Sequence, residues 1–537
     1  MHTFLLEQQL LPMAYKLPDD LHAMHERGEI KGSYGARVTF SDELPFDIIR
    51  RVPKDFLSFS VDIEHIINAT GIRLDDARLD RLVTPLLPAV LKIGGEDADR
   101  TYYNMSSKNT DEKKKSSDAM KHCRHTLEEA RWGEILKFVD SHRLGIQGLR
   151  LYFALGYGPG HRKGWRGEWD TSNARELLQY AKDNGFHGVD VLGVGHEMNM
   201  HFSSHGVIHH PGAATYVRDI KRARKEFSEL LHEKTIVVGN PTVFLPLVGE
   251  RWGILFGFFR SFFFAGGGSS SHAYDFHYYP AHPTDQTFVG RYASVSRLLD
   301  HKVLNDVVYW TKYVEKWREQ YSGHSPLWMG GTAFTHGADG EPGISDTYLG
   351  GVWWLDQVGV LAANTNVDMI IRDYLTGPSL NAMLDTNLSP RPDYWNTLLW
   401  KRIMGTKVYQ VNSDAESLRA YAHSMAGGSG YGISMLFINL APRKGADVDL
   451  FLPPHAVPVG TRKMCLLYRI TAPKLTGQHL LINGVPLELD EDGTPTELEP
   501  RHLLELGKDI DCQDDNKAVS FSVSPVSYTF LIVRPGY

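Results

Sequence analysis

The chain has 537 residues, of which 42% are hydrophobic and 23% charged, as is usual for globular proteins. This length suits two or three domains, or one large barrel with an accessory module. The net charge of -7 provides no general basic field for nucleic acid, and no segment reaches the roughly 18 consecutive apolar residues of a membrane span.

The N-terminal segment carries few structural signals. Residues 1–17 do not resemble a signal peptide, because Glu7 interrupts the apolar residues and no basic start precedes them. We expect residues 1–35 to be poorly structured. Strand-like alternation follows at 36–40 and 48–52, and since the next domain does not need these strands, we expect residues 36–52 to join a C-terminal β-sandwich.

Eight buried-type strands then alternate with helical patterns. They begin at Phe56, Ala89, Leu149, Val191, Ile236, Ala273, Leu327 and Val367. A clear intervening helix starts after Asp170-Thr171-Ser172, with apolar residues at Ala174, Leu177, Leu178 and Ala181. Strand–helix alternation of this length predicts a parallel sheet, and eight units predict a closed barrel. The sequence therefore indicates an α/β protein with a (β/α)8 TIM barrel over residues 53–405.

After residue 405 the pattern becomes all-β. Alternating segments at 433–440, 519–523 and 528–533, with a hairpin signal at Asn483-Gly484, predict a sandwich over residues 406–537. Cys465 and Cys512 allow one disulfide here, but three free thiols, including Cys123, fit equally well.

Two polar features bear on processing and location. Glycosylation acceptor triplets begin at Asn68, Asn104 and Asn387, which slightly favours secretion. Residues 104–125 carry a lysine run and several serines, and we interpret them as a solvated linker, with contact to a polyanion as the alternative.

A charged group ends the fourth strand. Val191-Leu192-Gly193-Val194 leads directly to Glu197, and catalytic groups of parallel barrels lie at the carboxyl ends of the strands. Acids at such ends suggest glycoside hydrolysis, which uses a pair of carboxyl groups. The alternative for Glu197 is a loop acid in a salt bridge.

Two further clusters lie in loops after barrel strands. Arg162, Lys163 and Arg166 follow the third strand and could contact the charged groups of a glycan, or simply be solvated. Five histidines crowd the segment after the fourth strand, namely His196, His201, His205, His209 and His210. Clustered histidines can bind metal, but no cysteine or carboxylate pattern fixes a geometry, so we predict a polar loop and no metal site.

An ordered set of motifs adds a family resemblance. The motifs are Phe56-Leu57-Ser58 leading to Asp62; Leu91-Lys92-Ile93-Gly94-Gly95 followed by Asp99; Gly195-His196-Glu197-Met198-Asn199; His277-Tyr278-Tyr279; Trp328-Met329-Gly330-Gly331-Thr332; Arg372; and Pro392-Asp393-Tyr394-Trp395. In this order they resemble glycoside hydrolase family 79, the heparanase-like family, from about residue 36 to the end.

The resemblance implies both an activity and a set of site residues. It implies a retaining β-glucuronidase type of enzyme with Glu197 as acid/base, no cofactor, and an extracellular or lysosomal location. The implied substrate is heparan sulfate or another acidic, uronate-containing glycan. Substrate contacts are expected at the matching positions, which are Asp62, Asp99, His196, Asn199, His277, Tyr278 and Arg372.

The sequence departs from the family pattern at the centre of the site. Gly331 stands where the family has its nucleophilic glutamate, and His196 replaces the asparagine before the acid/base. We therefore expect weak or absent hydrolysis. The alternatives are an active glycosidase with a substitute carboxylate from Asp339, Glu341 or Asp346, and a non-catalytic cell-surface or matrix interaction protein.

Overall fold

The computed structural model describes most of the chain between residues 32 and 536, in which helices and strands contribute similar numbers of residues. The described residues are 32–40, 48–67, 71–105, 120–200, 211–245, 253–284, 291–323, 325–337, 339–427, 431–453, 456–458, 460–514 and 517–536. Their strands are β1 (Ser33–Phe40), β2 (Ile48–Arg51), β3 (Leu57–Asp62), β4 (Ala89–Gly94), β5 (Thr101–Asn104), β6 (His125–Glu128), β7 (Leu149–Leu155), β8 (Val191–Val194), β9 (Ile236–Phe244), β10 (Tyr274–Tyr278), β11 (Leu327–Thr332), β12 (Met369–Arg372), β13 (Met404–Tyr409), β14 (Val411–Ser413), β15 (Leu418–Met425), β16 (Ile433–Asn439), β17 (Gly445–Phe451), β18 (Lys463–Thr471), β19 (Leu481–Ile482), β20 (Val485–Pro486), β21 (Lys508–Ile510), β22 (Val519–Val523) and β23 (Ser527–Pro535).

Helices lie mainly between the barrel strands. They are α1 (Ile63–Ile67), α2 (Ala77–Val83), α3 (Glu129–Ser141), α4 (Ser172–Asp183), α5 (Ala213–Glu226), α6 (Gly253–Phe264), α7 (Gly267–Ser270), α8 (Val295–Leu298), α9 (His301–Ser322), α10 (Tyr348–Asn364), α11 (Pro392–Ile403) and α12 (Pro500–Leu506). Short 3-10 turns occur at Thr84–Leu86, Glu96–Arg100, Gly145–Gln147, Met198–Met200 and Thr496–Leu498. Among the described residues, no helix combines the length and apolar character needed to span a bilayer.

Eight parallel strands close into a barrel, which confirms the predicted fold class. Their order around the barrel is β3, β4, β7, β8, β9, β10, β11 and β12, closing back on β3. Side chains on alternate strand positions point inward and fill the interior. The apolar part of this filling consists of Val90, Tyr152, Val191, Val238, Ala273, Trp328, Met369 and Ile371. The barrel is therefore packed through its middle and can bind ligands only at its ends.

The helix α10 connects the barrel to the second domain. Nearly all of its residues are buried, as expected for a helix that is apolar on every side. Asp356 on α10 accepts hydrogen bonds from Arg419 Nε at 2.8 Å and from the Tyr421 hydroxyl at 2.6 Å, both on β15. The two domains therefore share one continuous core.

Two sheets form the second domain. One has the order β14, β1, β17, β22, and the other runs from β2 through β13, β15, β16, β23 and β18 to β19 and β20, with β21 also on β18. Cys465 and Cys512 form a disulfide inside this sandwich, while Cys123 is free. The pairing of β1 with β17 and of β2 with β13 supports a division that we propose, namely residues 53–405 as barrel and residues 36–52 with 406–537 as sandwich.

Several sequence predictions concern residues outside those described. They are residues 1–31 of the segment expected to be poorly structured, most of the polar linker (106–119), the acceptor site at Asn68, and the histidines His201, His205, His209 and His210. The end of the first segment was predicted wrongly, because residues 33–35 belong to β1, where they pair with β17.

Candidate active site

A cleft of about 210 Å³ opens at the carboxyl ends of the barrel strands. Its lining combines carboxylates and histidines with a few other polar groups, two tyrosines, Ile63 and several glycines. The lining residues used below are Asp62, Glu64, Lys92, Glu96, Asp97, Arg124, His196, Glu197, His277, Tyr279, Gly330, His336 and Asp373. This is the end of a parallel barrel at which enzymes place their reacting groups.

Glu197 lies at the base of the cleft on a constrained turn. The strand β8 ends at Val194, and Gly195 then adopts a φ of 71°, where a Cβ atom would lie 2.9 Å from the Met198 sulfur. Glu197 itself has a φ of 40°, a left-handed conformation that costs non-glycine residues energy and is concentrated at functional sites. Its backbone N–H donates to Asn240 Oδ1 at 3.0 Å, which holds the turn against β9.

Three histidines surround the Glu197 carboxylate. His277 Nδ1 lies 2.7 Å from Oε1, His196 Nε2 lies 3.8 Å from the same oxygen, and His336 Nε2 lies 4.0 Å from Oε2. Burial alone would raise the pKa of Glu197, but the charge of His196 and the hydrogen bonds of His277 and His336 together hold this pKa well below 4.5. Glu197 is therefore ionised at neutral pH.

The tautomer of His277 follows from its neighbours. Asn240 uses Oδ1 to accept from Glu197, so its Nδ2 faces His277 Nε2 at 2.7 Å as a donor. Lys92 Nζ, which can only donate, lies 2.9 Å from the same nitrogen. Nε2 therefore accepts, and the proton of the ring is on Nδ1, from which it is donated to Glu197.

A buried ion pair supports this histidine from below. Lys92 on β4 and Asp275 on β10 are 3 and 1% exposed and lie 3.1 Å apart across the barrel interior. Lys92 also donates to the Gly330 carbonyl at 2.7 Å, and the Tyr152 hydroxyl donates to Asp275 at 2.6 Å. Burial raises the pKa of Asp275, but Lys92, His277 and Tyr152 outweigh that effect, and the net pKa lies below its ordinary value.

Two glycines end the seventh barrel strand against these side chains. A Cβ on Gly330 would lie 1.8 Å from Asp275 Oδ1, so no larger residue fits there. A Cβ on Gly331 would lie 3.0 Å from the Cγ and Nδ1 atoms of His277, a tight but smaller conflict. At Gly331 the protein therefore presents the face of the His277 ring where a longer residue would extend a side chain.

The opposite wall of the cleft is acidic. It carries Asp62, Glu64, Glu96, Asp97 and Asp373. Burial, followed by the charges of Asp373 and Glu64, raises the pKa of Asp62 well above 3.8. Burial, Glu197 and Asp97 raise the pKa of Glu96 to about 7, although its side chain is exposed at the cleft mouth.

Asp97 of this wall has two cationic partners beside it. Arg124 Nη1 lies 3.1 Å from one of its oxygens and His125 Nε2 lies 3.0 Å from the other. Burial raises the pKa of Asp97, but His125 and Arg124 lower it by a larger amount. The net pKa of Asp97 therefore lies below its ordinary value. The cleft as a whole therefore holds more carboxylates than cations.

The family model of the glycosyl hydrolase family 79 N-terminal domain matches residues 63–359, more than half of the chain. The chain belongs to glycosyl hydrolase family 79. This confirms the resemblance inferred from the ordered motifs.

Named relatives of this family-79 protein include a heparanase, a heparanase-like protein and an inactive heparanase. Heparanase-like protein 1 of Arabidopsis thaliana is 25% identical over 69% of this chain and 65% of its own length. Inactive heparanase-2 of Mus musculus is 27% identical over 66% and 58%, and heparanase of Rattus norvegicus is 29% identical over 48% and 44%. The chain thus spans less than two thirds of the length of each of these relatives.

Solved structures agree in fold. A 4-O-α-L-rhamnosyl-β-D-glucuronidase from Fusarium oxysporum has a TM-score of 0.59 at 14% identity, covering 92% of this chain and 99% of that one. The arabinofuranosidase AbfB from Bifidobacterium longum has a TM-score of 0.60 at 11% identity, covering 93% and 99%. At these identities the similarity concerns the architecture alone.

The structure brings part of the predicted site together. Asp62, His196, Glu197 and His277 all line the cleft, and Gly331 lies beside His277 in the register of β10 and β11. Their roles in binding or catalysis stay predictions.

Four other predicted contacts lie away from the cleft of this family-79 protein. Asp99 is fully buried, and its carbonyl accepts from Gly158. The Asn199 side-chain amide donates to the Val243 carbonyl and accepts from the Val243 N–H. Tyr278 packs on the helix side of the barrel. Arg372 is 1% exposed and forms an ion pair with Asp393 at 2.6 Å, which gives it a structural position.

The predicted basic loop and substitute acids are also placed elsewhere. Arg162 is buried and bonded to Asp219 at 3.0 Å, while Lys163 and Arg166 are exposed but do not line the cleft. Among the three substitute acids, Glu341 accepts two hydrogen bonds from Thr284, Asp346 accepts one from Gln478, and Asp339 is exposed; none of them lines the cleft that the described residues form.

Sequence reasoning missed several residues of the site. Tyr279, His336, Asp373, Lys92 and Asp275 all contribute to it. Asp373 directly follows the eighth barrel strand, so the rule that nominated Glu197 would have found it. His336 lies beyond the end of β11, and only the three-dimensional course of that loop brings it to Glu197.

Proposed function

We propose that this protein is a heparanase-like member of family 79 that binds a glycan in its cleft without hydrolysing it. The observation that carries the proposal is the end of β11, where Gly331 offers no carboxylate and His277 occupies the adjacent space. A retaining glycosidase needs a second carboxyl group about 5–5.5 Å from the first.

The state of Glu197 supports the same proposal. A general acid must hold a proton near neutral pH, and glycosidases achieve this by raising the pKa of that carboxyl group. Here the surrounding histidines do the opposite and hold the pKa of Glu197 well below 4.5. Glu197 therefore has no proton to give to a leaving group.

The charge of the cleft limits the class of glycan that it can bind. The relatives' names suggest heparan sulfate or another uronate-containing glycan, but the remaining carboxylates of the wall, Glu64 and Asp373, would repel dense sulfation. We therefore propose a uronate glycan with few sulfate groups. An extracellular or lysosomal setting fits the disulfide of the sandwich and the exposed acceptor Asn387, and we propose it on that basis.

Turnover is the first test. The wild-type protein and Glu197→Gln are incubated with an aryl β-glucuronide and with heparan sulfate, and product is measured over days. We expect no difference between the two proteins. Wild-type turnover that Glu197→Gln abolishes would overturn the proposal. Activity gained in Gly331→Glu would support Gly331 as the position of a lost nucleophile.

Ligand binding is the second test. Calorimetry compares an unsulfated glucuronate-containing oligosaccharide with a highly sulfated one, using Glu96→Lys and, as a surface control, Glu505→Lys. We expect the wild type to prefer the unsulfated ligand, and Glu96→Lys to gain affinity mainly for the sulfated one. Equal gains in both variants, or no binding to either glycan, would contradict the proposed ligand.

One observation favours a second function, hydrolysis with altered roles. Glu96 has a pKa of about 7 and Glu197 a low pKa within the same cleft, the pattern of an acid beside an ionised base or nucleophile. In this case Glu96→Gln would abolish turnover as completely as Glu197→Gln. Residual activity in Glu96→Gln would exclude Glu96 as the acid.

A further inference from the structure

A second cavity, of about 520 Å³, lies where the barrel meets the sandwich. It is bordered by the amino ends of β3 and β4, at the end of the barrel opposite to the acidic cleft. Cavities of this size at the junction of two domains are common binding places for small ligands. The apolar residues of its lining include Leu57, Leu87, Trp400, Met404, Met425 and Tyr431.

Backbone hydrogen bonds between distant segments hold the walls of this junction cavity together. The Val52 N–H donates to the Thr406 carbonyl at 2.8 Å, and the Ala426 N–H donates to the Ile403 carbonyl at 3.0 Å. The first bond joins the segment before β3 to β13, and the second joins the end of β15 to the end of α11. The cavity is therefore a product of the fold itself.

The charge of the junction cavity is opposite to that of the cleft. Its lining contains four basic side chains and, among the described residues, no acidic one. Arg402 has Glu499 at 3.7 Å, whereas none of the three lysines forms an ion pair with a carboxylate of the described residues. In a protein with a net charge of -7, this local excess of cations favours an anionic ligand. The three lysines are Lys54, Lys401 and Lys407.

Lys401 is the cation that the fold holds most firmly in the junction cavity. Its Nζ donates to the Pro88 carbonyl at 2.8 Å, and no second acceptor is bonded to it within the described residues. An ammonium group has three N–H donors, so Lys401 can also donate to a ligand. The acid that acts on Lys401 electrostatically, Asp55, is itself bonded to Arg150.

The ionisation of Lys401 should respond to a bound anion. Burial is the main reason that the pKa of Lys401 falls to about 7, with the charge of Asp55 raising it and that of Arg402 lowering it further. Lys54 and Lys407 add positive charge to the same lining. An anion beside Nζ would stabilise the ammonium form and raise this pKa, so that binding is accompanied by uptake of a proton.

We propose that the junction cavity binds a small amphipathic anion, with the acidic group on Lys401 Nζ and the apolar body against Leu87, Met425 and Tyr431. Tyr431 is 54% exposed, and Leu87 and Met425 are partly exposed, so these side chains are open to a ligand. A carboxylate or sulfonate on an aromatic or aliphatic body has the required chemistry. This site goes beyond the glycan cleft and does not depend on it.

Calorimetry with simple probes tests the proposal. Naphthoate carries both features, naphthamide lacks the charge, and inorganic sulfate lacks the apolar body. We expect one naphthoate to bind per chain, and the other two probes to bind more weakly by about 10-fold or more, because each lacks one of the two contributions. Equal binding of naphthamide, tighter binding of a sulfated disaccharide, or no binding of naphthoate would overturn the proposal.

Three variants locate the site. Lys401→Met keeps most of the apolar stem and should weaken naphthoate binding by about 10-fold or more, and Tyr431→Ala should weaken it by about 3- to 10-fold. Lys137→Met is the control, because Lys137 is exposed on α3 and does not line the cavity. Wild-type affinity in either cavity variant, or an equal loss in Lys137→Met, would contradict the proposed site.

Proton uptake distinguishes a ligand-binding lysine from a structural one. Naphthoate stays ionised between pH 7 and 8.5, and its affinity for the wild type should fall over this range by up to about 10-fold per pH unit. The affinity of Lys401→Met should not change with pH. Thermal unfolding verifies that each variant is folded, and if Lys401→Met is not, Tyr431→Ala and the wild-type pH dependence decide. Wild-type affinity that is independent of pH would overturn the proposal.

Discussion

At the residue scale, the site depends on how side chains alternate along β10. Asp275, His277 and Tyr279 face the barrel interior and the cleft, whereas Tyr274, Phe276 and Tyr278 pack outward on the helices. The motif His277-Tyr278-Tyr279 predicts Tyr278 as a substrate contact. The period-two rule, applied to His277 as an inward residue, would have selected Tyr279.

The sequence does not predict which residues of distant strands face each other inside the barrel. Lys92 and Asp275 belong to strands far apart in the chain, and their ion pair depends on strand tilt and on the register shift between Phe276 and His277. Sequence patterns identify which residues follow a strand, as with Glu197 and Asp62, but they do not say which strands face each other.

Gly331 offers a direct stability test of this packing. In Gly331→Ala the new Cβ would lie 3.0 Å from a His277 ring that Lys92, Asn240 and Glu197 hold in place. We expect the free energy of unfolding to fall by about 1–3 kcal/mol, measured by chemical denaturation. Gly35→Ala is the control, because nothing lies within 4 Å of its Cβ position and its φ is ordinary. Equal stability of both variants would show that His277 moves freely.

At the element scale, α10 explains why the two domains were easier to predict than their junction. Its apolar sequence indicates burial but not against which surface. In the structure it lies between the barrel and β15, and its one buried acid, Asp356, meets Arg419 and Tyr421. The partner residues come from a segment about 60 positions later, so periodicity along the helix contains no information about them.

Removing Asp356 should destabilise the whole protein. Asp356→Ala leaves the Arg419 guanidinium largely buried without its carboxylate, and breaking such a pair costs about 3–5 kcal/mol. The exposed pair Arg501–Glu505 is the control, since Glu505→Ala should change the free energy of unfolding by less than about 1 kcal/mol. Similar small effects in both variants would mean that solvent reaches Arg419 at the junction.

At the scale of the whole molecule, composition and strand–helix alternation were sufficient to predict the barrel with its β-sandwich. Local signals sufficed because each (β/α) unit repeats a short pattern that the chain must bury. The sheet order of the sandwich was less accessible, since its strands pair over long distances. The state of Cys465 and Cys512 was likewise open, and only their approach in the folded sandwich decides it.

The acid stability of the molecule should depend on buried histidines such as His423. Burial is the main reason that its pKa falls from 6.5 to about 4, with the Gly405 carbonyl opposing and Arg50 adding to this effect. Between these values the unfolded chain binds more protons than the folded one, so the free energy of unfolding falls as pH decreases from 6.5 to 4.

The variant His423→Asn isolates this contribution. Its amide can still donate to the Gly405 carbonyl, which His423 Nδ1 contacts at 2.7 Å. We expect the free energy of unfolding to depend less steeply on pH between 4.5 and 6.5, by up to about 1.4 kcal/mol per pH unit. Chemical denaturation at several pH values measures this. An unchanged slope would mean that the His423 ring is protonated within the fold.

The pairing of β1 also has a consequence for biosynthesis. This strand precedes the barrel in the chain, yet its partners are β14 and β17, which are translated only after the complete barrel. A nascent chain can therefore fold its barrel before the other sandwich strands are synthesised. During this time both edges of β1 are unpaired. Such edges invite wrong pairing, so we expect the yield of native protein to depend on chaperones that protect this early strand.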